Sequence, residues 1–403
     1  QTRHCVLPRL LRSAVLPMAA HSDASERPRV CVLDVDAGVD DAQAIVAVVL
    51  SPEARAGKLV VAAITCVTGN VPADEVLLNV KAVLAACGPE AEAIPVFAGA
   101  ARPLVADYED ARYWHGEDGL GGARAKWTPT ASAVAVSGTE TAPAALWRLA
   151  QEHEGRLELL ALGPLTNVAV ACLLYPRLPR LLRRAVVMGG TSRMTGNLGA
   201  ALEYNFAADP EAAASALSPQ ALGGGVGGEA LSASDEDAFL SAGRRPVEVV
   251  AWEASLDAAL PVDWCRGGDW LGAPDSTAAE MLRDASELVL SRLEEGGETT
   301  YPCADAVAAA VLLRPEATVT GAVVRAAKVE TSPGLCRGAL VLDHRPSHVP
   351  PGDRAEAGPA TGATIDRPGA KAWRPEAGWG VCEVATGLST AAVQAMLADS
   401  VKP

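Results

Sequence analysis

The stretch Val30-Cys-Val-Leu-Asp-Val-Asp-Ala-Gly-Val-Asp-Asp-Ala-Gln-Ala-Ile-Val-Ala-Val-Val-Leu50 decides the fold. Its first four residues are apolar and largely β-branched, which predicts a buried strand. The run from Ala42 is long enough for a helix. Between them, Asp34, Asp36, Asp40 and Asp41 crowd a strand-to-helix turn in which Gly38 permits a tight bend. Four negative charges at one turn repel each other. A hard divalent cation such as Ca²⁺ or Mg²⁺ relieves that repulsion, because it takes carboxylate oxygens as ligands. The plainer reading is a solvated acidic turn with Asp40 as the helix N-cap.

Working outward, strand-like apolar runs alternate with helical stretches: 59–68 follows the first helix, then 157–162, 184–188 and 247–252. Further strands are expected at 318–331, 338–343 and 380–386, with a closing helix over 389–401. This alternation predicts an α/β fold with a mainly parallel central sheet flanked by helices. Polar clusters recur just after the strands. In such sheets ligands bind at the carboxyl ends of the strands, so the active site is expected there. Residues 29–403 read as one domain. Glycine-rich 221–245 and Pro/Gly/Ala-rich 345–375 read as flexible insertions.

The composition narrows the function classes. Of 403 residues, 49% are hydrophobic, enough for a sizeable core, and the net charge is −15. A nucleic-acid-binding surface needs basic patches, so none is expected, although a neutral nucleoside is still allowed as a ligand. The nine cysteines are scattered without a CxxC pair, which suits reduced core thiols in a cytoplasmic protein better than a disulfide framework. No run of about 18 apolar residues predicts a membrane span. Residues 1–28 are rich in Arg and hold no acid before Asp23. They read as a disordered leader or as an organelle transit peptide, which would relocate the protein.

Three further constellations carry chemistry. Asp305 opens an apolar helix-like run and could join Asp36 and Asp41 from another strand end, or simply cap its helix. Thr166 follows a Gly-Pro-Leu turn and could lend its backbone carbonyl. The segment from Thr195 to Pro210 gathers Asn197, Glu203, Asn205 and Asp209 among small residues. Amides and carboxylates together suit a polyhydroxylated ligand, since each hydroxyl both donates and accepts. Asp209-Pro210-Glu211 reads as a helix start. Last, Tyr113-Trp114-His115-Gly-Glu-Asp-Gly-Leu-Gly-Gly122 reads as a mobile binding flap or as ordinary surface loop.

Taken together, these segments resemble the inosine-uridine nucleoside hydrolases, from about Val30 to Ser400. The resemblance also takes in Thr68-Gly-Asn-Val71 with Asn79, Ile94-Pro-Val-Phe-Ala-Gly99, Gly163–Asn167, Met188-Gly-Gly190, and Arg337-Gly338 with Asp343. It implies a tightly held Ca²⁺ with Asp36, Asp41, Asp305 and the Thr166 carbonyl as ligands, completed by ribose hydroxyls. Asp40, Asn70, Asn197, Glu203 and Asn205 match the family's ribose-binding positions, and His115 and Trp114 are further candidates for substrate contact. Asp36 matches the general base that activates a water held by the ion. The implied reaction is hydrolysis of a ribonucleoside N-glycosidic bond to free base and ribose, through an oxocarbenium-like transition state. The family resemblance allows a homo-oligomer, a dimer or tetramer.

Two residues depart from the family pattern. Ala37 stands where the family turn usually has Pro. Ala304 stands where many members carry a His as leaving-group acid, and alanine has no proton to give. Members without this His activate purines by aromatic stacking. That points to purine preference or broad specificity here, with Trp114, Trp252, Trp264 and Tyr301 available to stack and Cys303 or His115 as weak donors. The alternative reading is a homologue that binds nucleoside or ribose without hydrolysis. A dehalogenase-like phosphatase, from Asp34-Val-Asp36, fits poorly because Gly38 stands where that pattern wants Thr or Val.

Overall fold

Strand β1 (Arg29–Val35) sets the layout. Its alternate residues sort to opposite faces: Cys31, Leu33 and Val35 enter one core cluster, Val30 and Val32 the other. A strand buried on both faces reads as a continuous apolar run, as Val30–Leu33 of this one does. The computed structural model describes residues 27–127, 136–222, 247–344 and 379–402. The expected insertion over 345–375, nearly all of that over 221–245, and the leader up to residue 26 lie outside the described residues.

The remaining strands are β2 (Leu59–Cys66), β3 (Val96–Ala98), β4 (Val136–Ser137), β5 (Leu157–Ala161), β6 (Leu182–Met188), β7 (Val247–Val250), β8 (Leu260–Pro261), β9 (Thr300–Tyr301), β10 (Val319–Val329), β11 (Leu340–Leu342) and β12 (Gly380–Leu388). Nine of them join β1 in one sheet in the order β11-β10-β12-β7-β6-β5-β1-β2-β3-β4, and β8 pairs with β9 apart from it. Seven of the sheet's pairings are parallel; only β10 runs against its neighbours β11 and β12. The sequence expectation of a mainly parallel sheet therefore holds, and the C-terminal strands extend the same sheet.

Helices cover both faces. Val39–Val49, Ala73–Cys87, Thr277–Glu295, Ala304–Leu313 and Thr390–Ser400 pack on one; Ala142–Glu152, Thr166–Leu174 and Pro210–Ala216 on the other. Every residue of Ala304–Leu313 is buried, which accounts for its uninterrupted apolar sequence after Asp305. Because β1, β2, β5, β6 and β7 run the same way, their carboxyl ends open onto one edge of the sheet. No described helix is long and apolar enough to cross a membrane. The eight described cysteines are all free, and six are buried.

Candidate active site

The acidic turn is not a solvated one. Asp34, Asp36 and Asp41 are buried. Gly38, not Asp40, is the N-cap of helix Val39–Val49, and Asp40 and Asp41 lie in its first turn. Asp41 closes the turn back on itself: the Asp36 N–H donates to its Oδ1 at 3.2 Å and the Gly38 N–H to its Oδ2 at 2.8 Å. Asn70, just past β2, braces two acids at once. Its N–H donates to Asp36 Oδ2 at 2.8 Å and its Nδ2 to Asp41 Oδ2 at 3.1 Å. The neighbouring Gly69 is obligatory, since a Cβ there would stand 2.0 Å from Asp36 Oδ2. Ala37 adopts φ +44°, which proline cannot take, so this turn is a different backbone and not a slacker copy of one with Pro.

Asp305 arrives from the far side. It is the second residue of helix Ala304–Leu313, whose N-cap is Cys303, so the plain N-cap reading of Asp305 fails. Carboxylate oxygens of Asp40, Asp41 and Asp305 lie within 4.8 Å of one another, a spacing that could hold a metal ion. Asp36 touches Asp41 at the edge of this trio. Burial, then repulsion from Asp41, pushes Asp36 well above the usual carboxylate range. Burial and the charge of Asp40 do the same to Asp305, and Asp41 is pushed up to about 6 for the same two reasons. Asp36 Oδ1 is buried without a hydrogen-bond partner among the described residues. An orphan carboxylate oxygen beside three crowded acids is the donor set a hard divalent cation satisfies.

Asp34, by contrast, faces the sheet. Its Oδ1 accepts from the Thr65 hydroxyl at 2.6 Å and from Asn167 Nδ2 at 2.8 Å, and burial pushes it up to about 7. Thr166 begins helix Thr166–Leu174 and gives its hydroxyl to Asp209 Oδ2 at 2.7 Å. Asp209 caps helix Pro210–Ala216, as the Asp-Pro-Glu sequence predicts.

A cleft of about 290 Å³ opens above the acids. Asp40, Asn70, Trp114, His115, Asn197, Glu203, Asn205 and Asp305 all line it. The fully buried Asp36 and Asp41 are not part of its wall, nor is Thr166. Glu203 is both cap and wall: it accepts N–H groups from Gly190, Asn205 and Phe206 at 2.8, 2.8 and 3.1 Å, and burial pushes it up to about 7. Asn205 commits its Nδ2 to the Leu162 carbonyl at 2.6 Å, so its amide oxygen is the end left for a ligand. Asn197 commits the opposite end: its Oδ1 accepts the Tyr204 N–H at 2.9 Å, which leaves its Nδ2. One amide thus offers an acceptor and the other a donor.

The rest of the lining is apolar and aromatic, with Tyr113, Trp114, Trp252, Met188 and Ala304. Trp264 and Tyr301 are not in it: Trp264 stacks on Trp270 at 5.5 Å, and Tyr301 is buried with its hydroxyl toward Gln43. Cys303 is buried outside the wall, and burial pushes its thiol well up. The segment expected as a flap is internally hydrogen-bonded. His115 ends the short helix Arg112–His115 and is buried; its Nδ1 accepts the Val39 N–H at 3.1 Å, and burial lowers its pKa. Beyond it, Asp118 accepts N–H groups from Leu120, Gly122 and Arg124, and Asn79 Nδ2 ties the Ala37 and Asp118 carbonyls together.

Sequence reasoning missed Tyr204 in the lining, and quoted Tyr113 and Met188 only within longer segments, without a role at the site. Tyr204 also sets its hydroxyl 2.9 Å from the Gly69 carbonyl and 2.8 Å from that of Glu109. Its place inside the polar Glu203-Tyr-Asn205 run was the available signal.

A family model described as "Inosine-uridine preferring nucleoside hydrolase" matches residues 31–371. The "Non-specific ribonucleoside hydrolase RihC" of Salmonella paratyphi A (strain ATCC 9150 / SARB42) is 36% identical over 186 residues, 45% of this chain and 56% of that relative. Its counterpart in Salmonella agona (strain SL483) is 35% identical over 186 residues, 45% and 55% of the two chains. The chain thus spans little more than half the length of the curated relatives it matches. Among solved structures, an "Inosine-Guanosine Nucleoside Hydrolase" is similar with TM-score 0.69 and 27% identity, covering 93% of this chain and 98% of that one. A plant nucleoside hydrolase shares the fold with TM-score 0.69 at 23% identity, covering 93% and 100%.

Proposed function

The chain belongs to the inosine-uridine preferring nucleoside hydrolase family, and from that premise we propose that it hydrolyses the N-glycosidic bond of ribonucleosides to free base and ribose. One observation carries this reading: a crowded carboxylate cluster adjoins a cleft lined by both hydroxyl-matching side chains and aromatic rings.

We assign Ca²⁺ to the cluster, held by Asp36, Asp41, Asp305 and the Thr166 carbonyl, with Asp40 beside it toward the ligand. A divalent cation supplies charge neutralisation and makes a nearby water easier to deprotonate. Asp36 would take that proton as general base, while the Asn70 N–H holds its Oδ2 in place. Asn197, Glu203 and Asn205 grip the ribose hydroxyls, with Asp40 and Asn70 completing the sugar site. Positive charge grows on the sugar as the bond to the base stretches, and the surrounding carboxylates stabilise it.

Ala304 lines the cleft, so no acid reaches the leaving base from that position. Trp114 and Trp252 are the rings left to stack on the base, with His115 alongside, and this favours purines or a broad range. The names of similar proteins span that range, from non-specific to inosine-guanosine. Ala304 also supports a second reading, a homologue that binds nucleoside without cleaving it.

We further read residues 29–403 as one domain with a leader before it. We place the protein in the cytoplasm, or in an organelle if the leader is an address, and expect a dimer or tetramer.

The test is base release from inosine, adenosine, guanosine, uridine and cytidine, with Ca²⁺ and after chelation. Metal-dependent release that is fastest for purines is the expected result. Binding of nucleoside by calorimetry, with no base released, would favour the second reading.

A further inference from the structure

Asn197 poses a problem of placement. It lines the cleft, yet it sits on an exposed loop, residues 191–202, that leaves the end of β6. Burial does not fix it. Inside the loop, the Gly196 and Asn197 N–H groups return to the Ala200 and Leu202 carbonyls at 3.2 and 3.1 Å. Those bonds shape the tip but do not tie it to the body.

Asn197 itself holds the Tyr204 N–H, and the exposed Arg193 reaches the Glu253 carbonyl at 3.3 Å and Asp257 at 2.9 Å, but the buried tie at the base of the loop is Glu253, the second residue of helix Trp252–Asp257 and 1% exposed. Its Oε2 accepts the Ser192 N–H at 2.7 Å and the Ser192 hydroxyl at 3.2 Å. Its Oε1 accepts the N–H groups of Arg193 at 2.6 Å and Thr195 at 2.9 Å. Met194, between these donors, takes φ +62°. A left-handed residue in this position curls successive N–H groups into a concavity that receives an anion. Here the anion is the chain's own buried carboxylate. The residue before it, Trp252, lines the same cleft.

We propose that Glu253 is a positioning residue: its carboxylate latches the 191–202 loop to helix Trp252–Asp257, and so sets where Asn197 stands in the cleft. The inference rests on the reading of Asn197 as part of the sugar site. A carboxylate is required, because both its oxygens accept; a glutamine would turn an NH₂ group toward backbone donors.

The test uses the full chain with Glu253→Gln and two kinds of readout. The first is amide hydrogen exchange resolved by residue. Ser192, Arg193 and Thr195 report the latch, and the Tyr204 amide, which donates to Asn197 Oδ1, reports where Asn197 stands. All four are expected to exchange about 10-fold faster or more, with amides of β5 and β6 unchanged. The second readout is kinetic. KM for inosine is expected to rise about 10-fold, while kcat and Ca²⁺ affinity stay within about 2-fold, the signature of lost substrate binding. Glu253→Asp keeps the charge but withdraws it by one methylene. It is expected to give the same pattern, less pronounced, and serves if the glutamine variant does not fold. Unchanged exchange would overturn the latch. Faster exchange at 192–195 with an unmoved Tyr204 amide would overturn the positioning of Asn197. Loss of kcat and Ca²⁺ affinity without a KM change would reduce Glu253 to a structural role. Should the wild-type protein release no base from any nucleoside, the hydrolase reading fails, while the four amides still decide the latch.

Discussion

At the scale of single residues, Asp36 is held by one oxygen and bare on the other. Asn70 fixes Oδ2 from the backbone, and Gly69 lets that backbone come close enough to do so. Gly69→Ala would drive a methyl into the carboxylate. Displacing a reacting group by about 1 Å costs roughly 10²-fold, so kcat for nucleoside hydrolysis is expected to fall by about that factor. An unchanged kcat would mean that Asp36 does not need this geometry. The acids themselves were legible in sequence, because four Asp residues in so short a turn between apolar runs repel one another unless a cation joins them. Their division of labour was not. Local spacing puts Asp36 and Asp41 together, whereas the tight trio of Asp40, Asp41 and Asp305 depends on a helix more than 260 positions away. The aromatic candidates split for the same reason. Trp114 and Trp252 face the cleft, but Trp264 and Tyr301 are claimed by packing partners that sequence does not reveal.

At the scale of elements, helix Ala304–Leu313 carries Asp305 at its first turn and is anchored at its last. Two arginines from the sheet meet its final carbonyls. Arg29 donates to Leu312 and Leu313 at 2.7 and 3.2 Å, and Arg184 to Val311 and Leu312 at 2.9 and 3.1 Å. Cations at a helix C-terminus complement its dipole. Each is also paired with a buried acid, Arg29 with Glu158 and Arg184 with Glu248. Arg184→Met would leave Glu248 buried and unpaired, at a cost of about 3–5 kcal/mol in urea unfolding. Arg148→Ala, which breaks a more exposed pairing with Glu140 and Glu152, is expected to cost about 1 kcal/mol or less. Equal effects would refute the anchoring role. The alternation of runs made the parallel sheet and this helix readable in advance. The arginine anchors were not, because they join residues 127 to 284 positions apart. The internal bonding of the segment after Trp114 was not readable either, since its glycines signal turns and not the Asp118 brace that organises them.

At the scale of the whole molecule, the site stores charge repulsion in a chain of net charge −15. Asp34, Asp36, Asp41, Glu203 and Asp305 all have folded pKa values raised by burial, with about 6 for Asp41 and about 7 for Asp34 and Glu203. The folded state therefore binds more protons than the unfolded chain between about pH 4 and 7, and its stability falls as pH rises through that window. Metal-free protein is expected to lose Tm from pH 5 to 7.5. Saturating Ca²⁺ should restore it, most at the higher pH, because a bound ligand stabilises by mass action, about 4 kcal/mol at 1,000 times Kd. A Tm indifferent to Ca²⁺ at pH 7.5 would deny the cluster its ion. The most direct test of the proposed chemistry is the rate of inosine hydrolysis by Asp36→Asn beside the wild type, at saturating Ca²⁺ and with folding checked by circular dichroism. The amide keeps the shape of the side chain and cannot take the proton, so the rate is expected to fall by about 10²- to 10⁴-fold in a folded protein. A variant that cleaves inosine at the wild-type rate would contradict the assignment of Asp36 as the base.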